Sequence, residues 1–63
     1  MTEEEKLNLM SGITFLFEAL EKQMIALHYL SENNFKADST FSKQSSEAKI
    51  KAIDYINKFI KNE

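Results

Sequence analysis

The 63-residue chain predicts an all-α fold: a helical hairpin with a long first helix and a shorter second one. Three observations predict it. Proline is absent and Gly12 is the only glycine, so the turn residues that short β-meanders and barrels need are missing. Apolar residues recur at three- and four-residue spacing from Leu7 to Leu30 and again from Ala48 to Ile60. Between these stretches Ser31-Glu32-Asn33-Asn34 breaks the pattern, and consecutive asparagines tolerate the left-handed conformation found at helix C-caps. The length suits a single helical domain, with helices over about 3–32 and about 43–61 and a connector over about 33–42.

The first helix opens on Thr2 and Glu5, the spacing of a capping box, and Glu3 to Glu5 suit the positive end of the helix dipole. Leu9, Ile13, Leu16, Leu20, Met24 and Leu27 fall on one stripe, which Met10 and Phe17 widen on one side. On its other side Gly12, Ala19 and Ala26 follow one another at seven-residue intervals. Thr14, Glu18, Glu21 and Lys22 define the wet face. The stripe through Ile13, Leu16, Leu20 and Leu27 is expected to be the hairpin's own core. Small residues let helix backbones approach, so the Gly12, Ala19, Ala26 seam is the candidate contact with a second subunit. The heptad line Met10, Phe17, Met24 reads as core packing, with an adaptable binding groove as the alternative. Glycine inside a helix costs about 1 kcal/mol relative to alanine, so Gly12 implies either a bend or a close helix contact.

The connector holds Phe35 and Phe41 near its ends, where their rings are expected to fold inward over the hairpin end. Several Ser and Thr between Ser39 and Ser46 could cap the second helix. Its inner face holds Ala48, Ala52, Ile53, Ile56, Phe59 and Ile60, with Tyr55 at the edge. Outside lie Glu47, Lys51, Asp54, Lys58 and Lys61, including two acid-before-base pairs at i,i+4. On these boundaries Thr2 to Met10 overhangs the second helix by about 15 Å at 1.5 Å per residue. Leu7, Leu9 and Met10 would then need either a second subunit or a fold-back at Ser11-Gly12.

Composition narrows the chemistry. A chain this short hides only about 60% of its unfolded surface and usually needs a disulfide, a metal or oligomerisation. Cysteine is absent, and His28 alone cannot build a zinc site, so oligomerisation or a very good helical core remains. His28 precedes Glu32 by one turn and reads as a weakly paired boundary histidine, with no second base or nucleophile beside it. Phosphate loops, His-Glu-x-x-His and calcium-loop patterns are missing. The expectation is a non-enzyme with no cofactor and no metal.

The formal charge is −2, and all eight basic residues are Lys with no Arg, the preferred fork for phosphates and base edges. Lys49, Lys51, Lys58 and Lys61 near Tyr55 and Phe59 offer an aromatic–basic surface, but Glu47 and Asp54 sit among them, which disfavours nucleic acid. Residues 1–33 carry six acids and two lysines, and residues 34–63 six lysines and four acids, so a hairpin sets opposite signs side by side. No apolar run approaches the roughly 20 residues of a membrane span. The acidic start is the reverse of a signal peptide, and a cytoplasmic setting is expected.

The opening Met-Thr-Glu-Glu-Glu-Lys-Leu-Asn, together with the length, resembles the Rop family of plasmid copy-number proteins. That resemblance implies a short hairpin that dimerises into a four-helix bundle and binds paired RNA loops; the long polar connector expected here departs from that family's tight turn. Phe17-Glu18-Ala19-Leu20 through Met24, with Ile53-Asp54, is similar to small sporulation-type aspartyl-phosphatase hairpins, whose Ser-Gln-x-Leu-Asp signature this chain lacks. Neither resemblance carries a functional residue onto the chain.

The expectation is therefore a non-catalytic protein–protein interaction module, a homodimer forming a four-helix bundle. Lys-, Asn-, Ile- and Phe-rich coding suggests a phage or mobile-element regulator or inhibitor that binds a second protein. The candidate interface of this module comprises Leu7, Leu9, Met10, Gly12, Ile13, Phe17, Ala19, Met24, Ala26, Tyr55 and Phe59. A Rop-like nucleic-acid-associated dimer using the lysines of the second helix is the alternative.

Overall fold

A computed structural model describes residues 1–61 and contains two helices, α1 (Glu3–Ser31) and α2 (Phe35–Lys61), packed as an antiparallel hairpin. The Thr2 hydroxyl accepts from the Glu5 N–H at 3.1 Å, and the Glu5 carboxylate accepts from the Thr2 N–H at 2.9 Å. This reciprocal cap satisfies two donors that have no partner inside the helix. Hydrogen bonds from the Thr2 backbone and hydroxyl also hold the Glu5 carboxyl below its ordinary range.

The turn is shorter than the sequence suggests. Asn33 adopts φ 60°, its N–H bonds to the Leu30 carbonyl at 3.0 Å, and the Asn34 N–H reaches back to the Tyr29 carbonyl at 2.9 Å. These two bonds close the C-terminus of α1 in the Schellman pattern. Asn34 then serves as the cap of α2, its side-chain oxygen accepting from the Ala37 N–H at 3.2 Å. Helix α2 thus starts at Phe35, not near residue 43, and the expected connector over 33–42 is replaced by one tight turn.

The serines and threonines read as connector are accommodated inside the helix. The Thr40 hydroxyl donates to the Lys36 carbonyl at 3.0 Å, and that of Ser42 to the Asp38 carboxylate at 3.3 Å. The Ser45 hydroxyl crosses to α1 and donates to the Ala19 carbonyl at 2.8 Å.

The earlier start of α2 leaves the helices nearly equal, at 29 and 27 residues. The expected overhang of Thr2 to Met10 disappears: Glu4 and Asn8 line one groove with Lys58 and Lys61. Helix α1 runs uninterrupted through Gly12, so of the two readings of that glycine the close contact holds. A Cβ placed on Gly12 would stand 2.7 Å from Ile56 Cγ1 and 3.4 Å from the Ala52 carbonyl oxygen. The molecule is a rod with Cα extents of 46 × 12 × 10 Å and a radius of gyration of 14.3 Å. A compact domain of this length would have a radius near 11 Å.

Candidate functional site

The interior of the hairpin consists of small residues. Among the described residues, Gly12, Ala19 and Ala26 from α1 and Ser45, Ala48 and Ala52 from α2 are the buried ones, and no large side chain is fully buried. Small side chains on both helices let the backbones come close enough for Ser45 to reach a main-chain carbonyl on the facing helix. The seam expected to meet a second subunit is therefore consumed within the hairpin. Conversely, the leucine stripe expected to form the hairpin's core lies open: Ile13, Leu16, Leu20 and Leu27 are all exposed, Leu20 by 55%. The physical reason is geometric. A side chain the size of leucine between these two helices would force apart the backbones that Gly12 and Ser45 bring together.

The two sides of this small-residue seam differ in chemistry. On one side Phe15 stacks on Tyr55, with centroids 5.7 Å apart and planes 8° from parallel, and Tyr29 stacks on Phe41 at 5.6 Å and 10°. Lysines cover these rings: Lys51 Nζ lies 5.4 Å from the Phe15 centroid, Lys22 Nζ 5.4 Å from Phe41 and Lys58 Nζ 5.0 Å from Tyr55. Glu18, Gln44 and Glu47 complete that side. Of the two acid–base pairs expected on α2, Lys58 meets Asp54 at 3.3 Å, while Lys51 is turned over the Phe15 ring.

On the other side a groove of about 120 Å³ runs between Leu16, Leu20 and Gln23 of α1 and Lys49 of α2, with Ala19 and Ser45 at its floor. Helical periodicity places Leu9, Ile13, Leu27 and Leu30 along the same edge of α1, and Ile53, Ile56 and Ile60 along that of α2. Leu9 and Ile56 are half-buried, while Ile53 and Ile60, expected on the inner face, are exposed. Further round α1, the Met10, Phe17, Met24 line expected as core packing is open to solvent, Phe17 by 68% and Met24 by 71%.

Of the residues the sequence nominated for an interface, Leu7, Met10, Ile13, Phe17 and Met24 are exposed, and Leu9, Tyr55 and Phe59 half-buried. Gly12, Ala19 and Ala26 are buried inside the hairpin. The connector aromatics separate: Phe41 packs against Tyr29, whereas Phe35 sits exposed in the first turn of α2. Sequence reasoning missed Phe15 and Tyr29. The signal was present in the alternating three- and four-residue steps of Asn8, Gly12, Phe15, Ala19, Lys22, Ala26 and Tyr29, matched on α2 by Phe41, Ser45, Ala48, Ala52, Tyr55 and Phe59.

The polar chemistry is superficial. His28 Nε2 lies 3.3 Å from the Glu32 carboxylate, and both side chains are well over half exposed. Among the described residues no group of three or more acidic or histidine side chains could hold a metal ion, and no helix is long and apolar enough to cross a membrane. No family model matches the chain, and no curated protein or solved structure matches it either.

Proposed function

We propose that this chain is a small non-catalytic protein–protein interaction module whose working surface is the apolar flank of the hairpin. One observation carries the reading: among the described residues the hairpin fully buries only Gly, Ala and Ser, while Leu16, Leu20, Leu27, Ile53 and Ile60 stay exposed along its length. Apolar surface gains about 25 cal/mol per Å² on leaving water, so a continuous flank of this kind favours a protein cover. The other flank supports the same choice over the nucleic-acid alternative. Base stacking needs free ring faces, and here Phe15 is stacked on Tyr55 and Tyr29 on Phe41, with lysines over Phe15, Phe41 and Tyr55. The exposed His28–Glu32 pair offers no shielded site for acid–base work. The self-assembled form would be the one in which such a module regulates or inhibits a second protein in a phage or mobile element.

The test is the solution mass of the wild-type chain and of Leu20→Glu, with helix content measured alongside. The wild type should sediment as an assembly at micromolar concentration and Leu20→Glu should not. A wild-type chain that is a fully folded monomer under these conditions overturns the proposal.

A further inference from the structure

We infer that the occupant of the apolar flank is a second copy of this chain, placed with both hairpin turns at the same end, so that α1 of each copy lies across α2 of the other. This rests on the interaction reading above and specifies its geometry. The first argument is area. The single hairpin exposes 4817 Å², whereas a compact monomer of its mass would expose about 4,200 Å². The excess of about 600 Å² approaches the roughly 800 Å² that each partner contributes to an interface of standard size. Two copies pressed flank to flank remove it and give Leu16, Leu20, Ile53 and Ile56 the core that neither hairpin has alone.

The second argument is charge. Two-fold symmetry allows two face-to-face arrangements. With turns at opposite ends, α1 packs on its own counterpart and α2 on its own. With turns at the same end, α1 packs on the partner's α2. Both make neighbouring helices antiparallel, so helix dipoles do not choose between them. The side chains do. The α1 half carries six acids and two lysines, and the α2 half six lysines and four acids. The same-end arrangement joins unlike halves, and the opposite-end arrangement joins like with like.

The third argument is register. The contacts of Gly12 with Ala52 and Ile56, of Ala19 with Ser45 and of Tyr29 with Phe41 fix which residues share a level along the rod. On that register Glu21 is level with Lys43, Phe17 with Ile50, and Leu20 and Leu27 with Ser46 and Ser39. In the same-end dimer Phe17 and Ile50, both about two-thirds exposed in the single hairpin, cover each other across the outer edge of the contact. Leu20 and Leu27 fall opposite serines, large side chains on small ones.

The chain has no cysteine, so introduced thiols report the geometry directly. Phe17→Cys and Ile50→Cys chains are prepared separately, mixed by unfolding and refolding, oxidised, and the cross-linked pairs identified by mass. The mixed pair should exceed either like pair by about tenfold or more, because only facing thiols share a high effective concentration. Phe17 is the midpoint of α1, so turns at opposite ends would instead yield the Phe17→Cys like pair. That result, or a statistical mixture of all pairs, overturns the arrangement while leaving the interaction reading intact. A folded monomer in the mass measurement overturns both. Glu21→Cys with Lys43→Cys gives a second, solvent-edge pair should the apolar substitutions disturb folding.

Discussion

The two flanks of this hairpin are built from the same two helices and differ in whether they are finished. On the aromatic flank each half-buried ring has a partner: Phe15 lies on Tyr55, Tyr29 on Phe41, and lysines lie over Phe15, Phe41 and Tyr55. On the apolar flank Leu16 and Leu20 border an open groove and Ile53 and Ile60 face water. The first flank joins the two helices of one hairpin, and the second leaves large apolar side chains uncovered, which is the surface proposed above to be covered by a second copy. A substitution therefore acts on folding or on assembly according to the side of the Gly12–Ala19–Ala26 seam on which it falls.

The largest effect should come from setting one charge on each flank. Leu20→Glu removes about 2 kcal/mol of apolar burial per copy and leaves a carboxylate to desolvate, so the dimer dissociation constant should rise at least about 100-fold. Lys22→Glu, two residues along and over the Phe41 ring, loses a partly exposed cation–π contact of roughly 1 kcal/mol. Sedimentation of the two variants checks the contrast. Equal effects on assembly would mean that the flanks do not divide the work in this way.

Phe15→Ala tests the finished flank from within. The half-buried ring stacks on Tyr55 and carries Lys51 on its face. Its truncation should cost about 2 kcal/mol of thermal stability while the mass stays that of the wild-type assembly. Thermal unfolding with sedimentation on the same sample separates the two readouts.

How much of this was legible in the sequence depends on which residues are asked. Thr2 and Glu5 announce the first helix because a capping box is a local pattern with a local cause. Two helices follow from missing proline and apolar periodicity. The turn was harder, since Ser39 to Ser46 look like capping residues and nothing local says that Thr40 and Ser42 find partners one turn back and Ser45 across the seam. The choice of stripe was harder still. Leucines are normally taken as the interior because burial gains scale with side-chain area, yet interhelical distance is set by the smallest residues in register on both helices. Gly12, Ala19 and Ala26 were visible, and their match to Ser45, Ala48 and Ala52 required the α2 register that a misplaced turn concealed.

Gly12→Ala examines that seam. Alanine gains about 1 kcal/mol of helix propensity, but its methyl would meet Ile56 Cγ1 at 2.7 Å with the Ala52 carbonyl behind. Overpacking of this kind costs about 1–3 kcal/mol, so the net result should be a loss of about 1 kcal/mol and a lower Tm. A higher Tm would show that the helices do not need to be this close.

An effect of comparable size per copy is also the one that improves the protein. Lys49 is the charged residue bordering the open groove, across from Leu16 and Leu20. In a monomer it is a solvated lysine like any other. In the flank-to-flank dimer its stem lies along the contact while its ammonium must reach for the rim, giving up part of its hydration. Lys49→Leu should then tighten the dimer by about 1 kcal/mol per copy, roughly fivefold in Kd for each substituted side chain. The gain belongs to association, so Tm should become higher while remaining dependent on protein concentration. If the flank faces water in solution, the same substitution leaves a monomer with a concentration-independent Tm and one more exposed leucine. Thermal melts of wild type and Lys49→Leu over a range of concentrations distinguish these outcomes.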